Sequence, residues 1–177
     1  MPDVTRWRVR AALVDLALVT GWAVVVAAVT VPLYVTGLFG GLRQLTANLL
    51  GSLLVVVPVV VGLALLEGGR YEASPGKQWC GLRVRRADGA RLGFARSLAR
   101  NAVKVAPVWL AGHAAVLAWA SAAGPVGADV WILTSIAVLL PLGYLATAWL
   151  DGGRAPHDLL AGSLVVATAP GRRIAAD

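Results

Sequence analysis

An aspartate stands inside an apolar run near the start of this chain: Asp15, with Leu13, Val14, Leu16 and Leu18 around it. A carboxylate within a membrane span costs about 2.5–3.5 kcal/mol on insertion scales, so it must face protein, a partner cation or water. The chemistry open to it is electrostatic: an ion pair that fastens segments together, or the binding and release of a cation or proton. Arg8 precedes it by seven residues, which places both within about 20° of one helix face but roughly two turns apart. That is too far for direct contact unless both side chains reach toward each other. A partner from another segment is therefore required, and Lys77, Lys104, Arg154 and His113 are the candidates. His113 falls in the middle of an apolar run, where its neutral form can bond a neighbouring helix and its charged form is costly; a packed structural histidine is favoured over a proton relay.

The elements that must position these residues are helices of membrane length. Of 177 residues, 58% are hydrophobic and 14% charged, against roughly a quarter charged in a soluble domain; the mean hydropathy is +0.74. Four runs, near residues 11–31, 45–66, 102–123 and 130–150, reach the roughly 20 apolar residues that cross a bilayer. The first extends too far for a removable signal peptide and contains Asp15, so it reads as a retained helix.

Two polar stretches say nearly the same thing. Glu67-Gly-Gly-Arg70 leads into Gly76-Lys-Gln-Trp-Cys-Gly81-Leu-Arg-Val84, and Asp151-Gly-Gly-Arg154 leads into His157-Asp-Leu-Leu-Ala-Gly162-Ser-Leu-Val165. Each follows a pair of apolar runs. The expected fold is an all-α membrane protein forming one domain over 1–177: four transmembrane helices in two parallel two-helix repeats, each followed by a cytoplasmic interfacial cassette (67–101 and 151–169), with a mobile tail at 170–177. The copies differ where Lys77 of one meets Asp158 of the other, and repeat interfaces are where membrane proteins often place sites.

Charge sets the expected orientation. Arg6, Arg8 and Arg10 precede the first run, a dense basic set from Arg70 to Lys104 lies between the second and third, and Arg154, Arg172 and Arg173 follow the fourth, while Arg43 alone serves the other loops. Basic residues near span ends stay inside, so both termini and the central loop are expected on the cytoplasmic side of the membrane. The +7 net charge then reflects topology and attraction to anionic lipid headgroups; no soluble basic domain is long enough for nucleic acid. In the central loop, Leu82, Val84, Asp88-Gly89 and Leu92 suggest a small hairpin. From Arg91 onward, Leu92, Ala95, Leu98, Ala99 and Ala102 recur at helical spacing beside a basic stripe of Arg96, Arg100 and Lys104, which reads as an interfacial amphipathic helix entering the third span. The single Cys80 reads as a reduced structural thiol.

Together Arg8-Val-Arg-Ala-Ala-Leu-Val-Asp15, Gly76-Lys-Gln-Trp-Cys-Gly-Leu-Arg-Val84 with Asp88-Gly89 and Arg96-Ser-Leu-Ala-Arg100-Asn101, and His157-Asp158-Leu-Leu-Ala-Gly162 resemble the RDD family of small bacterial membrane proteins. The resemblance covers nearly the whole chain. It implies that the family's arginine falls on Arg8, its first aspartate on Asp15 and its second on Asp158. It implies little settled function: the family's general role is undefined, with transport, including cation/proton exchange, suggested for some members. Two readings follow. In one, Asp15 with Arg8 and Asp158 is the polar centre of a small-cation or proton-coupled transporter, supported by Lys77, Arg154, His113 and His157; four spans enclose little volume, so a path would require a homo-oligomer. In the other, the chain is an accessory or scaffold subunit whose basic face holds anionic lipid or a larger membrane complex, and the buried charges lock cassettes to helices. Lys77 or Arg154 is expected on Asp15, and Asp158 on Arg8.

No nucleophile and base occur at readable spacing, and the Gly-Gly-Arg stretches lack the spacing of a phosphate loop, so no enzyme activity is expected. His157 beside Asp158 lacks the further ligands of a metal site, and no cofactor is expected.

Overall fold

A computed structural model describes residues 2–38, 44–149 and 154–168. Helices α1 (Pro2–Val35), α2 (Gln44–Gly68), α4 (Phe94–Ser121) and α5 (Ala128–Ala146) are joined by two small polar units: a short helix α3 (Pro75–Trp79) with strand β1 (Leu82–Arg86), and a short helix α6 (Pro156–Ala161) with strand β2 (Ser163–Ala167). The four long helices are each long and apolar enough to cross a membrane. At 1.5 Å per residue α1 spans about 51 Å, well over the roughly 30 Å hydrocarbon core. Its first turns, with Arg6, Arg8 and Arg10, therefore project beyond that core.

The expected spans lie within these helices except at their ends. The third begins eight residues earlier than expected and stops at Ser121, and the fourth gives way at Thr147–Trp149 to a single 3-10 turn. Proline does not break them: Pro32, Pro58, Pro107 and Pro141 all sit inside helices, as neighbouring helices permit in a membrane. Central in the bundle is α2, which packs most extensively on α4; α4 in turn packs on α5, and α1 lies more lightly against α2. Val55, Val56, Val60, Leu63 and Ala64 of α2 are buried with Ala111 and Ala115 of α4. Outward, Leu16, Leu18, Val24, Leu139 and Leu142 are exposed, an apolar surface suited to hydrocarbon.

Three expectations are corrected. The fold is mostly helical rather than all-α, because β1 and β2 form a two-stranded antiparallel sheet in register Leu82↔Ala167 to Arg86↔Ser163. The local hairpin is reduced to a turn: Asp88-Gly89 does fold the chain back, but only a single bridge, Arg85↔Arg91, forms there. The full ladder goes to the distant strand, which lets Val84, Leu92, Ala161 and Val165 share one small apolar core. Finally, of the basic stripe on α4 Arg96 is exposed as expected, but Arg100 is 2% exposed and Lys104 half-buried, while Ala95 and Ala99 face outward. The helix is turned with its polar face inward, the arrangement that charges in a span require.

Both polar units share a plan: proline at the first turn of a short helix, a glycine in the left-handed region between it and the strand (Gly81 φ 65°, Gly162 φ 62°), then the strand itself. Gly40, Gly41 and Arg43, the stretch Asp151-Gly-Gly, and residues 169–177 with Arg172 and Arg173 lie outside the described residues.

Candidate functional site: a buried chain of ion pairs

The C-terminal end of α2, the N-terminal halves of α1 and α4, and both short helices meet at one end of the bundle. There the charges form one continuous chain. Arg8 Nη2 lies 3.5 Å from Asp158 Oδ2. Asp158 Oδ1 accepts from Arg100 Nε at 2.8 Å and lies 2.7 Å from its Nη2. Arg100 Nη1 donates to Glu67 Oε2 at 2.6 Å, and Lys77 Nζ donates to Glu67 Oε1 at 2.6 Å and to Ser74 Oγ at 3.1 Å. Ser74 Oγ donates onward to Asp15 Oδ2 at 2.6 Å. Cations Arg8, Arg100 and Lys77 thus alternate with carboxylates Asp158, Glu67 and Asp15. Asp15 and Asp158 are buried, Glu67 is wholly so, and Arg100 and Lys77 are buried with them. Breaking such a network is costly because each removal strands a charge in a poor solvent.

Local structure explains the placement. A short helix leaves its first N–H groups without partners. The N-cap of α3, Ser74, makes no side-chain cap of its own; instead Asp15 reaches from α1 and accepts the Gly76 N–H at 2.8 Å, a negative charge at the positive end of a helix. The approach is close enough to require glycine: a Cβ on Gly76 would collide with the Ala11 carbonyl oxygen and lie 2.9 Å from Asp15 Oδ1. In α6 the same end is served by its own Asp158, whose Oδ2 accepts the Ala155 N–H at 3.2 Å, while Ser163 Oγ donates to Oδ1 at 3.0 Å. Asn101 closes the centre, donating to Glu67 Oε2 at 2.9 Å and to the Ser97 carbonyl at 2.9 Å.

Of the residues expected at the site, Arg8, Asp15, Lys77 and Asp158 come together with His157, and the Arg8–Asp158 pair forms. The expected partners of Asp15 do not. Lys77 is captured by Glu67, a full carboxylate at 2.6 Å, and reaches Asp15 only through Ser74. Arg154 donates to the Ser163 carbonyl at 3.2 Å, tying the second unit to its strand. His113 lies about 20 Å farther along α4 than Arg100, its ring 6.2 Å from that of Trp109. Lys104, half-buried on the inward face of α4, makes no hydrogen bond or ion pair among the described residues.

Glu67, Arg100 and Asn101 were missed as site residues. Glu72 was missed too: it is buried with φ 54°, and Arg85 and Arg91 approach it at 2.8 and 3.0 Å, Arg83 at 3.6 Å. A visible signal existed for α4, where Ser97, Arg100, Asn101 and Lys104 recur at the spacing of one helix face.

Outside the spans, burial and the Arg100 charge push the His157 imidazole down to about 3, outweighing the nearby Asp158. Burial alone would raise Asp158, but Arg100 prevails and holds it down at about 2. At neutral pH the pair is a neutral imidazole, its ring 5.0 Å from that of Tyr144, and an ionised carboxylate. The sign follows: the unfolded imidazole takes up its proton near pH 6.5 and the folded one only near 3, so the unfolded chain binds more protons between these values. Stability is therefore expected to fall as the pH drops from 7.5 to 5, read as a lower melting midpoint by intrinsic fluorescence. His157→Gln is expected to flatten that dependence; an equal slope in both proteins would refute the assignment. Burial also pushes the half-buried Cys80 thiol up, opposed by Arg10 and aided by Asp15, as suits an unreactive structural thiol.

Among the described residues no group of His, Cys, Asp and Glu side chains is arranged to hold a metal ion. No curated protein and no solved structure matches the chain. The family model of the RDD family matches residues 2–162, and with four helices of spanning length around this buried chain of charges, the protein belongs to the RDD family of membrane proteins.

Proposed function

We propose that the chain is a non-enzymatic, multi-pass accessory protein of a bacterial inner membrane, in which the ion-pair chain locks two related cytoplasmic cassettes beneath the helices. One observation carries this reading: every carboxylate oxygen of Asp15, Glu67 and Asp158 already accepts from, or pairs with, a donor of the same protein at 2.6–3.5 Å. A passing cation would have to displace one of them. The shared plan of α3–β1 and α6–β2 supports a duplicated unit. Arg6, Arg8 and Arg10 share this end with the cassettes, which supports a cytoplasmic placement for it, with both termini inside and the basic rim toward anionic lipid.

A second reading, exchange of a small cation or proton centred on Asp15, draws on Lys104, which is half-buried on the inward face of α4 and makes no hydrogen bond or ion pair among the described residues. Proteoliposomes separate the two. The accessory reading expects no Na⁺-, K⁺- or Li⁺-dependent proton flux above protein-free vesicles, and stoichiometric copurification with a membrane partner. Flux in the wild type that Asp15→Asn abolishes, with folding retained, would overturn it. Asp15→Asn keeps an acceptor for Gly76 and is expected to cost only about 1 kcal/mol of stability, measured by thermal melting.

A further inference from the structure

Beside the ion-pair chain, on the outer side of α1 and α3, lies a cleft of about 360 Å³ lined by Trp7, Arg10, Leu13, Val14, Trp79 and Cys80. That volume falls within the roughly 300–1,000 Å³ of sites that take organic groups. Its wall on α1 runs from Trp7 and Arg10 to Leu13 and Val14. Arg10 is exposed with its guanidinium carbon 4.8 Å from the centre of the Trp7 ring, and no carboxylate is paired with it among the described residues. Leu13, 57% exposed, and Val14 lie one turn deeper along α1, toward the hydrocarbon. Trp79 projects from α3 with 81% of its surface open. An indole that exposed has no place in water, but indoles are enriched at the headgroup layer, where an apolar ring and a polar N–H are both satisfied.

We infer that this cleft is a binding site for one anionic glycerophospholipid, its phosphate on Arg10, its glycerol region between Trp7 and Trp79, and the start of an acyl chain over Leu13 and Val14. Charge complementarity selects the occupant: among the lining residues the polar end of the cleft carries the cation Arg10 and no carboxylate, and the other end is apolar. The lipid would cover the open side of α3, the helix whose inner side Asp15 caps, and so would hold the first cassette against α1 from without. This deepens the reading of the basic end as the lipid-facing one and rests on it.

Cys80 lines the cleft and is the chain's single cysteine, so its alkylation by a water-soluble maleimide reports occupancy. The whole protein is placed in nanodiscs of phosphatidylcholine, with or without 20 mol% phosphatidylglycerol, at a pH alkaline enough to ionise the thiol. Phosphatidylglycerol is expected to slow alkylation several-fold. Arg10→Gln should abolish that protection with an unchanged melting midpoint in phosphatidylcholine, Arg10→Lys should restore part of it, and Arg96→Gln, an equal loss of charge elsewhere, should leave it intact. Free inorganic phosphate should not protect. If Arg10→Gln and Arg96→Gln weaken protection alike, attraction is diffuse and the site is refuted while the lipid-facing reading stands. If phosphatidylglycerol gives no protection at all in the wild type, both fail.

Discussion

Arg100→Gln is expected to destabilise the protein by roughly 3–5 kcal/mol, the scale observed when one partner of a buried pair is removed. Its guanidinium is shared between two buried carboxylates, at 2.6 Å from Glu67 and 2.7–2.8 Å from Asp158. The amide reaches neither with charge, so both anions are left with weaker partners at once. Against total stabilities of about 5–15 kcal/mol that is a large share of the whole, seen as a lower denaturation midpoint and reduced recovery of monodisperse protein. Arg8→Gln provides the internal comparison. Arg8 meets the same Asp158, but at 3.5 Å and with 17% of its side chain exposed, so its loss is expected to cost less than that of Arg100, whose shorter bonds hold two carboxylates. An Arg8 effect equal to that of Arg100 would mean that the centre of the network has been placed wrongly.

Gly76→Ala is the second large effect. The added methyl meets the Ala11 carbonyl oxygen and Asp15 Oδ1, backbone on one side and a committed carboxylate on the other, so neither can give way cheaply. Overpacking of this kind costs about 1–3 kcal/mol, and forcing α3 off α1 adds the loss of its cap, about 1 kcal/mol. Gly62→Ala is the control, since a Cβ there meets nothing within 4 Å and alanine is the better helix former by about 1 kcal/mol. Melting midpoints should move in opposite directions for the two substitutions; equal shifts would contradict the packing of α3 on α1.

The helices were legible because a membrane leaves few options for twenty apolar residues in a row, and Asp15 announced its need for a partner by its depth alone. The partner was not legible. Glu67 stands at the end of the most apolar helix and read as the marker of a repeat, yet it holds both Lys77 and Arg100. Arg100 read as part of an outward stripe with Arg96 and Lys104, spaced four apart; the inward stripe of Ser97, Arg100, Asn101 and Lys104 occupies the same turns and fits helical spacing equally well. Periodicity finds the two faces of a helix, but in a membrane the polar face turns inward and the apolar one out, so the solvent rule inverts. The sheet was hidden for another reason. Asp88-Gly89 is a local signal and suggested a local hairpin, whereas the pairing of Val84 with Val165 closes a loop of some eighty residues that no turn residue marks. The likeness of the two Gly-led stretches was the one sequence feature that bore on it.

The claim at the centre is that Glu67 and Arg100 join both cassettes to the bundle. Hydrogen exchange read by mass spectrometry on the intact protein in nanodiscs, wild type against Glu67→Gln, tests it most directly. Glu67 touches the first cassette through Lys77 and the second only through Arg100 and Asp158. The account predicts faster exchange in both 75–86 and 156–167, with the spans around Val60 and Ala111 unchanged. Unaltered protection in both cassettes would contradict it.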